Sequence, residues 1–235
     1  MISVRTITEI GDLREAVRLQ KTIWGFEDLE LLPVRMFVVA HRVGGQTMAA
    51  FDDDTMVGFL IAVPGVKTDG THYLHSNMMG VLADYRNLGV GRQLKLAQRE
   101  EALERGIEMI EWTFDPLELK NAFFNVQRLG AVVERYVLNQ YGITSSLLHG
   151  GLPTDRCVAS WSLRSERVER VVAGDPAPAV EIVERIEVPN EIGGGRRERQ
   201  ASISERFLEY LRRDLYVAQV ERGETNGVYL FAKRT

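Results

Sequence analysis

The sequence predicts an α/β fold in which helices and strands alternate along most of the chain. Three observations support this prediction: short apolar runs that alternate as strands do, longer runs with apolar residues at helical spacing, and Gly, Pro or Asp residues at the boundaries between them. Over residues 1–165 the predicted order is β α α β β β α β α β β. With 235 residues, the chain has room for one large domain, or for one domain with an appendage.

The first half of this order begins with an edge strand, because residues 3–8 alternate apolar and polar side chains. Asp12 is the predicted N-cap of the first helix, and Pro33 opens the second. In order, the predicted elements are a strand at 3–8, helices at 13–24 and 33–43, and strands at 48–51, 55–63 and 73–82.

The second half contains the clearest amphipathic helix of the chain. Leu119, Ala122, Phe123, Val126 and Leu129 recur at helical spacing between the Asp115-Pro116 break and Gly130. In order, the predicted elements are a helix at 93–105, a strand at 108–114, a helix at 119–129, and strands at 131–138 and 158–163.

The composition changes after residue 165, where charged residues give way to the glycine-containing stretches 174–178 and 193–197. We therefore predict a main domain at 1–165 and a C-terminal α/β extension at 166–235. About seventy residues are marginal for independent folding, so the extension is expected to pack on the main domain or on a second subunit of a homodimer. Its predicted elements are a strand at 180–188, a helix at 202–213 and a hairpin formed by 216–220 and 228–232.

Composition argues against several classes of protein. A formal net charge of −4 argues against a nucleic-acid partner, which usually requires a basic surface. No apolar run reaches the roughly 20 residues that span a bilayer, and the N-terminus lacks a basic segment followed by an apolar one. We therefore expect a cytoplasmic protein with no membrane partner. The single cysteine, Cys157, excludes an internal disulfide, and we expect no metal site.

The segment Tyr85-Arg86-Asn87-Leu88-Gly89-Val90-Gly91-Arg92 has the pattern of a phosphate-binding turn. Its two glycines allow backbone angles closed to other residues, so that successive N–H groups can converge on an anion where a helix begins. A dinucleotide-binding turn would carry G-x-G-x-x-G, and a P-loop would end in Gly-Lys-Ser or Gly-Lys-Thr; neither pattern is present. The alternative that stays open is an ordinary glycine-containing turn without a ligand.

This turn, following Val81 with the pattern R-x-x-G-x-G, resembles the acyl-CoA turn of GNAT-type N-acyltransferases. The order of elements over about residues 1–165 is also similar to that family, and segments such as Asp115-Pro116-Leu117 resemble a bacterial subgroup with a C-terminal extension. The resemblance implies a mixed α+β sheet with helices on both faces, splayed between its fourth and fifth strands. It also implies acetyl-CoA or another acyl-CoA as co-substrate. The implied cofactor-binding residues are Gly80 and Val81 for the pantetheine arm, Arg86, Asn87, Leu88, Gly89, Val90, Gly91 and Arg92 for the pyrophosphate, and Asn121 on a later helix.

The resemblance makes His75 the candidate general base, since it lies six positions before Val81, where several family members carry that group. Strand alternation predicts that one face is shared by Tyr73, His75, Asn77, Met79 and Val81. An imidazole, with an unperturbed pKa of about 6.5, can accept a proton directly or through a water molecule. The alternative is a strand histidine hydrogen-bonded to a neighbour.

Two further candidates are Glu111 and Tyr141. Glu111 is a carboxylate within an apolar strand, and because an unpaired buried charge is costly it should meet either an arginine or a substrate ammonium group. Many family members place a tyrosine, the general acid, where this chain has Val126. Tyr141 or Tyr136 could protonate the leaving thiolate instead, although a structural role is the alternative for either.

The expected function is the transfer of an acetyl or other short acyl group from acyl-CoA to the amine of a small molecule. Some members of the subgroup are associated with N-succinylation of amino acids, which makes succinyl-CoA and an amino acid a candidate pair. Arg135, Arg156 and Arg206 are candidate carboxylate ligands. The alternative is a catalytically weak CoA-binding or ligand-sensing module with a GNAT-like shell, which the missing tyrosine favours.

Overall fold

The computed structural model describes residues 1–143, 151–190 and 195–234. These residues divide into two compact units. The first contains Met1–Glu111, and the second contains Trp112–Ile143 together with residues 152–190 and 195–234. This division by compactness differs from the predicted boundary between residues 165 and 166, which concerns the end of the family-like domain and stays a prediction.

The first unit contains the predicted strands and helices, with small shifts at their ends. Its strands lie in the order β1-β2-β3-β4-β5, and neighbours are antiparallel except β4 and β5, which are parallel. The predicted mixed α/β class is therefore confirmed. The elements are β1 (Ile2–Thr6), α1 (Ile10–Trp24), α2 (Val34–Arg42), β2 (Gln46–Asp52), β3 (Thr55–Val66), β4 (His72–Val81), α3 (Val90–Glu104) and the first residues of β5 (Met109–Phe114), with 3-10 turns at Asp28–Glu30 and Ala83–Tyr85.

Apolar side chains cover both faces of these strands, because they alternate along β2 and, after a register shift at Val57, along the rest of the buried part of β3. Phe59 and Ile61 pack with the apolar residues of α1 and α2, whereas Val57 and Leu60 pack with those of α3. Each fully buried side chain of this size contributes about 1.5–3 kcal/mol relative to an exposed one. Helices thus flank the strands on both faces, as the resemblance implied.

The start of α1 differs from the prediction. The helix begins at Ile10, with Glu9 as an N-cap whose side chain makes no capping bond. Asp12 lies within the first turn instead, where Oδ2 is 2.9 Å from Nη1 of Arg5. Asp12 as N-cap is therefore wrong, although an acidic residue in the first turn still stabilises the helix through its dipole.

A β-bulge interrupts β4 at Asn77. Ser76 pairs with Ala62 of β3 and Met78 pairs with Ile61, so Asn77 has no position opposite it in β3. Such an extra residue reverses the alternation of side chains on its strand and increases the local twist.

The bulge separates residues that were predicted to share one face of β4. Met79 and Val81 pack against the apolar cluster under α3. His75 lies opposite Val63, and both Val63 and Met78 pack on the side of α1 and α2. The prediction of a common face for His75, Met79 and Val81 is therefore wrong, because it assumed unbroken alternation.

α3 carries a fully buried lysine. Lys95 is 2% exposed, and its Nζ donates hydrogen bonds to Ser76 Oγ at 3.0 Å and to Gln98 Oε1 at 2.9 Å. Gln98 Nε2 in turn donates to Gln46 Oε1 at 2.9 Å. Burial lowers the pKa of Lys95 well below its ordinary value, because the ammonium form loses its hydration. This polar network joins α3 to β2 and β4.

The second unit is an antiparallel arrangement with two long and two short helical segments. Its strands lie in the order β7-β6-β9-β10-β8. The elements are the remainder of β5, α4 (Leu119–Phe123), a π-helical turn (Phe124–Arg128), β6 (Val132–Val137), β7 (Arg156–Ser162), α5 (Glu166–Ala173), β8 (Ile182–Pro189), α6 (Arg196–Arg212), β9 (Leu215–Arg222) and β10 (Asn226–Lys233).

The predicted helix at 119–129 is in fact two segments. A five-residue α4 is followed by the π-helical turn, in which the N–H of Leu129 donates to the carbonyl of Phe124 at 3.2 Å. This bond spans five residues instead of the usual four. Leu119 and Val126 are nevertheless buried, so the apolar pattern that suggested a continuous helix persists through the change.

α5 has no counterpart in the prediction, which treated this region as charged residues and linker. Ser165 caps the helix by accepting a hydrogen bond from the N–H of Val168 at 3.3 Å, and Gly174 ends it at a φ of 97°. Val168 and Val171 are its buried residues. Two buried positions in eight residues give too short a periodic signal to identify a helix.

Two kinds of feature are absent from the described residues. No helix among them combines the length and the apolar character needed to cross a membrane. In the same part of the chain, no group of three or more His, Cys, Asp or Glu side chains is arranged to hold a metal ion.

Replacing Lys95 with methionine should remove a pH dependence of stability. Burial lowers the folded-state pKa below the unfolded value of about 10.4, so the unfolded chain binds more protons between those two pKa values. The free energy of unfolding of the wild type should therefore rise with pH across that window. Lys95→Met should show no such rise, and should gain up to about 1.4 kcal/mol at neutral pH for each unit of lowering, before the lost hydrogen bonds are counted.

Urea unfolding from neutral pH to about pH 10 measures this slope. Lys120→Met, at an exposed lysine of α4, is the matched control and should keep the slope of the wild type. If Lys95→Met keeps it too, the buried amine is not the source of the pH dependence.

Candidate functional site

The candidate site lies in the first unit, where β4 leads into α3. β4 ends at Val81, a 3-10 turn follows, and α3 begins after its N-cap, Gly89. The hydroxyl of Tyr85 donates to Asp52 Oδ2 at 3.1 Å, which fixes the turn to β2, and this bond raises the pKa of the phenol above its usual value. Residues 86–89 are exposed.

This turn presents main-chain N–H groups that the protein does not use. Within the described ranges, the N–H groups of residues 87–91 donate to no protein acceptor, whereas that of Arg86 donates to the carbonyl of Ala83 at 3.1 Å. The first hydrogen bond of α3 runs from the N–H of Gln93 to the carbonyl of Gly89 at 3.0 Å, and no side chain caps the helix. Free N–H groups at the positive end of a helix form an anion-binding site.

Only one of the two glycines needs an unusual backbone conformation. Gly89 has a φ of 83°, and an added Cβ would have no atom within 4 Å, so the backbone alone demands glycine here. Asn87 also has a positive φ, of 63°. Gly91 lies in the first turn of α3 and has no positive φ. The predicted special angles are confirmed for Gly89 and wrong for Gly91.

β4 leaves its parallel partner immediately before the bulge. The pairs described between β4 and β5 are Leu74–Ile110 and His75–Glu111. For residues 76–81, no strand in the described part of the chain pairs with the edge that faces away from β3. A free strand edge offers N–H and C=O groups to an extended ligand.

Two of the residues predicted to bind the cofactor also have structural roles. Arg86 Nε donates to the carbonyl of Val81 at 3.2 Å, which links the turn to the end of β4. A Cβ at Gly80 would lie 2.6 Å from Cη2 of Trp24 and 2.8 Å from Cδ1 of Ile23, so glycine at this position allows α1 to pack on β4. The other predicted residues of the turn differ in exposure: Leu88 is exposed, Val90 is buried and Arg92 is half-buried.

A polar cluster forms where the β4–β5 ladder ends. His75 and Glu111 are register partners, so their side chains project to the same face. Glu111 is 3% exposed and its Oε1 lies 2.8 Å from Nζ of Lys67, an ion pair without the direction of a good hydrogen bond. The same Nζ lies 5.8 Å from the ring centre of Tyr73, within the range of a cation–π contact.

The structure answers part of the question about Glu111. Its burial is confirmed, but its partner is Lys67 and not the expected arginine, while the alternative of a substrate ammonium group stays a prediction. The Lys67 ammonium offsets the charge of Glu111, and the role of His75 as general base stays a prediction.

Sequence reasoning missed Lys67, and it predicted the face of Tyr73 but not its contact with Lys67. Both lie beside the turn between β3 and β4, and their proximity depends on the pairing of those strands, in which Tyr73 lies opposite Gly65. The ring of Tyr73 covers Gly65, since an added Cβ would be 2.5 Å from Cε1 of that ring. A glycine facing an aromatic residue across a hairpin was the only available signal.

Tyr141, the candidate general acid, belongs to the second unit. It is 48% exposed, and its hydroxyl lies 3.1 Å from Oγ1 of Thr113 and accepts a hydrogen bond from Gln140 Nε2 at 3.2 Å. The guanidinium of Arg156 lies 5.7 Å from its ring centre. The hydroxyl is therefore accessible and has polar neighbours, and its role as general acid stays a prediction.

Of the other residues predicted in the second unit, Asn121 and Arg135 are exposed, Arg206 is half-buried, and Tyr136, Val126 and Arg156 are buried. Tyr136 is 8% exposed, with its hydroxyl 2.8 Å from Ser204 Oγ, and burial raises its pKa, which favours a structural role. Val126 is fully buried. Asn121 is exposed on α4, with Oδ1 3.5 Å from Nδ2 of Asn125.

Lys67→Met should destabilise the first unit by about 2 kcal/mol, because it leaves a buried carboxylate without its ammonium partner. The partial exposure of Lys67 keeps this below the roughly 3–5 kcal/mol of a fully buried pair. Adding Glu111→Gln should restore most of the loss. Urea unfolding of both single variants and the double variant gives the coupling energy.

The matched control is Lys21→Met, because the pair of Lys21 and Asp28 is exposed, although its atoms are only 2.6 Å apart. This change should alter stability little. A coupling between Lys67 and Glu111 below about 0.5 kcal/mol would contradict the assignment of a stabilising pair.

Several solved structures share this fold. Arabidopsis thaliana Naa50, in complex with the bisubstrate analogue CoA-Ac-MVNAL, is 18% identical with a TM-score of 0.52, over 68% of this chain and 97% of its own. The ribosomal-protein-S18-alanine N-acetyltransferase of Escherichia coli is 17% identical with a TM-score of 0.53, over 71% and 97%. YncA from Salmonella typhimurium, with its cofactor acetyl-CoA, is 12% identical with a TM-score of 0.56, over 70% and 95%. At these identities the similarity establishes the fold.

No curated protein matches the chain at a significant level. The sequence does match the Acetyltransferase (GNAT) family model over residues 12–130, just over half of the chain. That range includes β4, the turn and α3, the parts on which the resemblance was based. The chain therefore belongs to the GNAT acetyltransferase family and is an acyl-CoA-dependent acetyltransferase.

Proposed function

We propose that this enzyme transfers an acetyl or other short acyl group from acyl-CoA to the amine of a small molecule, with amino acids among the candidate acceptors. One observation carries the proposal: a strand edge without a described partner leads directly into a turn whose N–H groups have no acceptor in the described protein. An extended ligand that ends in a diphosphate, as CoA does, can bind both features in order.

The proposed contacts to CoA follow from the same stretch. The N–H groups of residues 87–91 bind the pyrophosphate, with Arg86 and Arg92 adding positive charge beside it. The edge of β4 up to Val81 binds the pantetheine arm through main-chain groups. Arg86 exchanges its bond to the carbonyl of Val81 for one to a phosphate oxygen, which leaves that carbonyl free for the arm.

His75 is the proposed general base. The amine nitrogen attacks the carbonyl carbon of the thioester; the N–C bond forms as the C–S bond breaks, and the imidazole of His75 takes the proton that the amine loses. CoA leaves as a thiolate, which takes up a proton. Glu111, on the same face, stabilises the imidazolium, and most of the rate enhancement comes from holding the two reactants together. Tyr141 and Asn121 stay as proposed acid and cofactor ligand.

The acceptor can be identified with a panel of amines. The Escherichia coli enzyme above is named for a ribosomal protein, and the Naa50 complex holds an analogue with a peptide part, so the panel should contain amino acids, polyamines and short peptides. Release of the CoA thiol is the measurement. Turnover with small amines supports the proposal, and turnover with peptides alone contradicts it.

Gly89→Val should lower the affinity for acetyl-CoA at least about tenfold, because valine disfavours the φ of 83° and turns the N–H groups away from their common point. Gly106→Val is the matched control: Gly106 follows the other end of α3, has a φ of 74° and is equally open around its Cβ position. Both variants should lose about 1–2 kcal/mol of stability.

Isothermal titration with acetyl-CoA distinguishes the two glycine variants. The control should bind as the wild type does. An unchanged affinity in Gly89→Val would remove the turn from the binding site.

His75→Gln should lower kcat by about 10²–10⁴, because the imidazole no longer accepts the proton, while the KM for acetyl-CoA stays the same. The acid limb of the pH profile of kcat/KM should disappear as well. His41→Gln, at an exposed histidine of α2, is the control. An undiminished rate at neutral pH in His75→Gln would exclude it as the base.

A further inference from the structure

The second unit contains a cavity of about 350 Å³ that the proposed reaction does not use. Its walls come from β6, β7, α5, β9 and the residues after β10, and much of its polar lining consists of hydroxyl and guanidinium groups. The polar residues used below are Glu134, Ser160, Ser162, Arg167, Tyr216 and Arg234.

Arg167 brings a positive charge to this cavity without a matching negative one. Its Nε donates to the carbonyl of Gly130 at 3.0 Å, and its Nη2 donates to those of Ala218 at 2.6 Å and Val126 at 3.4 Å. All three acceptors are neutral main-chain groups. Burial lowers the pKa of Arg167 below its usual value, because the guanidinium has lost hydration.

One nitrogen of Arg167 is left for a ligand. Within the described part of the chain, Nη1 makes no hydrogen bond and no carboxylate forms an ion pair with this guanidinium. The hydrogen bonds of Nε and Nη2 connect the segment that follows α4 to strand β9. This structural role and a ligand contact through Nη1 are therefore compatible.

The other charges of the lining nearly cancel. Nη2 of Arg234 lies 3.6 Å from Oε1 of Glu134, and its Nε lies 3.5 Å from Oδ1 of Asp214, outside the lining; both are loose ion pairs at a site where Arg234 is 46% exposed. Two arginines and one glutamate give the lining a formal charge of +1. The cavity therefore favours a monoanion, and the carboxylate of Glu134 disfavours a dianion such as hydrogen phosphate.

We propose that this cavity binds a small carboxylate, with Arg167 and Arg234 supplying charge and the hydroxyls of Ser160, Ser162 and Tyr216 supplying further hydrogen bonds. A carboxylate matches the donors of a guanidinium in geometry as well as in charge. The volume admits a molecule of several heavy atoms. The site is an accessory one, built from residues that have no role in the acyl-transfer site described above.

The first experiment compares propionate with its neutral isostere propionamide, at constant ionic strength, by thermal unfolding of the wild type. A ligand that binds only the folded state raises the Tm with its concentration. Propionate should give a saturable rise and propionamide none. No rise with propionate, or an equal rise with propionamide, overturns the proposal, and a rise with inorganic phosphate alone overturns the choice of carboxylate.

Two variants locate the site. Ser162→Leu fills the cavity, and Arg234→Glu changes the formal charge of its lining from +1 to −1. Each should raise the half-saturating propionate concentration on the order of tenfold or more, the loss of one charge-assisted contact. Ser202→Leu and Arg212→Glu repeat these changes at exposed positions of α6 outside the lining, and should leave it unchanged.

Stabilisation by acetyl-CoA should be retained in all four variants, which shows that they are folded. Wild-type half-saturation in both cavity variants would overturn the location of the site. If Ser162→Leu does not fold, Arg234→Glu decides, because Arg234 is half exposed and lies after the last strand.

Discussion

The candidate site of the first unit depends on the position at which β4 and β5 stop pairing. The ladder extends to His75 and Glu111 and no further, so the next residues of β4 have main-chain groups that a closed sheet would have used. The bulge at Asn77 follows within two residues and adds twist where the strands diverge. It also places His75 on the face of α1 and α2, while Val81 turns toward α3. The proposed proton acceptor therefore lies on one face of β4, and the strand edge proposed for the thioester begins beside it.

The polar cluster of His75, Glu111 and Lys67 lies where the pairing of β4 with β5 ends. A buried carboxylate is costly unless a positive charge lies close to it. The ammonium group of Lys67, 2.8 Å from Glu111, supplies that charge. The turn between β3 and β4, which carries Lys67, thereby contributes to the cluster that contains the proposed base, His75.

Most elements could be predicted from the sequence because their signals are local. The positive φ of Gly89 could be predicted for the same reason, since glycine is the residue that adopts such angles most readily. The bulge could not be predicted, since the adjacent apolar residues Met78 and Met79 fit either register of β4. The π-helical turn could not be predicted for a similar reason, because its apolar residues keep nearly the spacing of an α-helix. The ion pair of Lys67 with Glu111 depends on which strands are neighbours, and no pattern within one segment contains that information.

The hydrogen bond between Lys95 and Ser76 couples a helix to a strand beneath it. α3 carries the N–H groups proposed for the diphosphate, and Ser76 adjoins the strand edge proposed for the thioester, so this buried bond fixes the separation of the two. The pair of Lys95 and Ser76 thereby holds the proposed diphosphate site and the proposed thioester site at a set distance from each other. In the proposed binding mode an acyl-pantetheine contacts the strand edge alone and lacks the contacts to the N–H groups of the turn, so a whole coenzyme binds more tightly than its fragments.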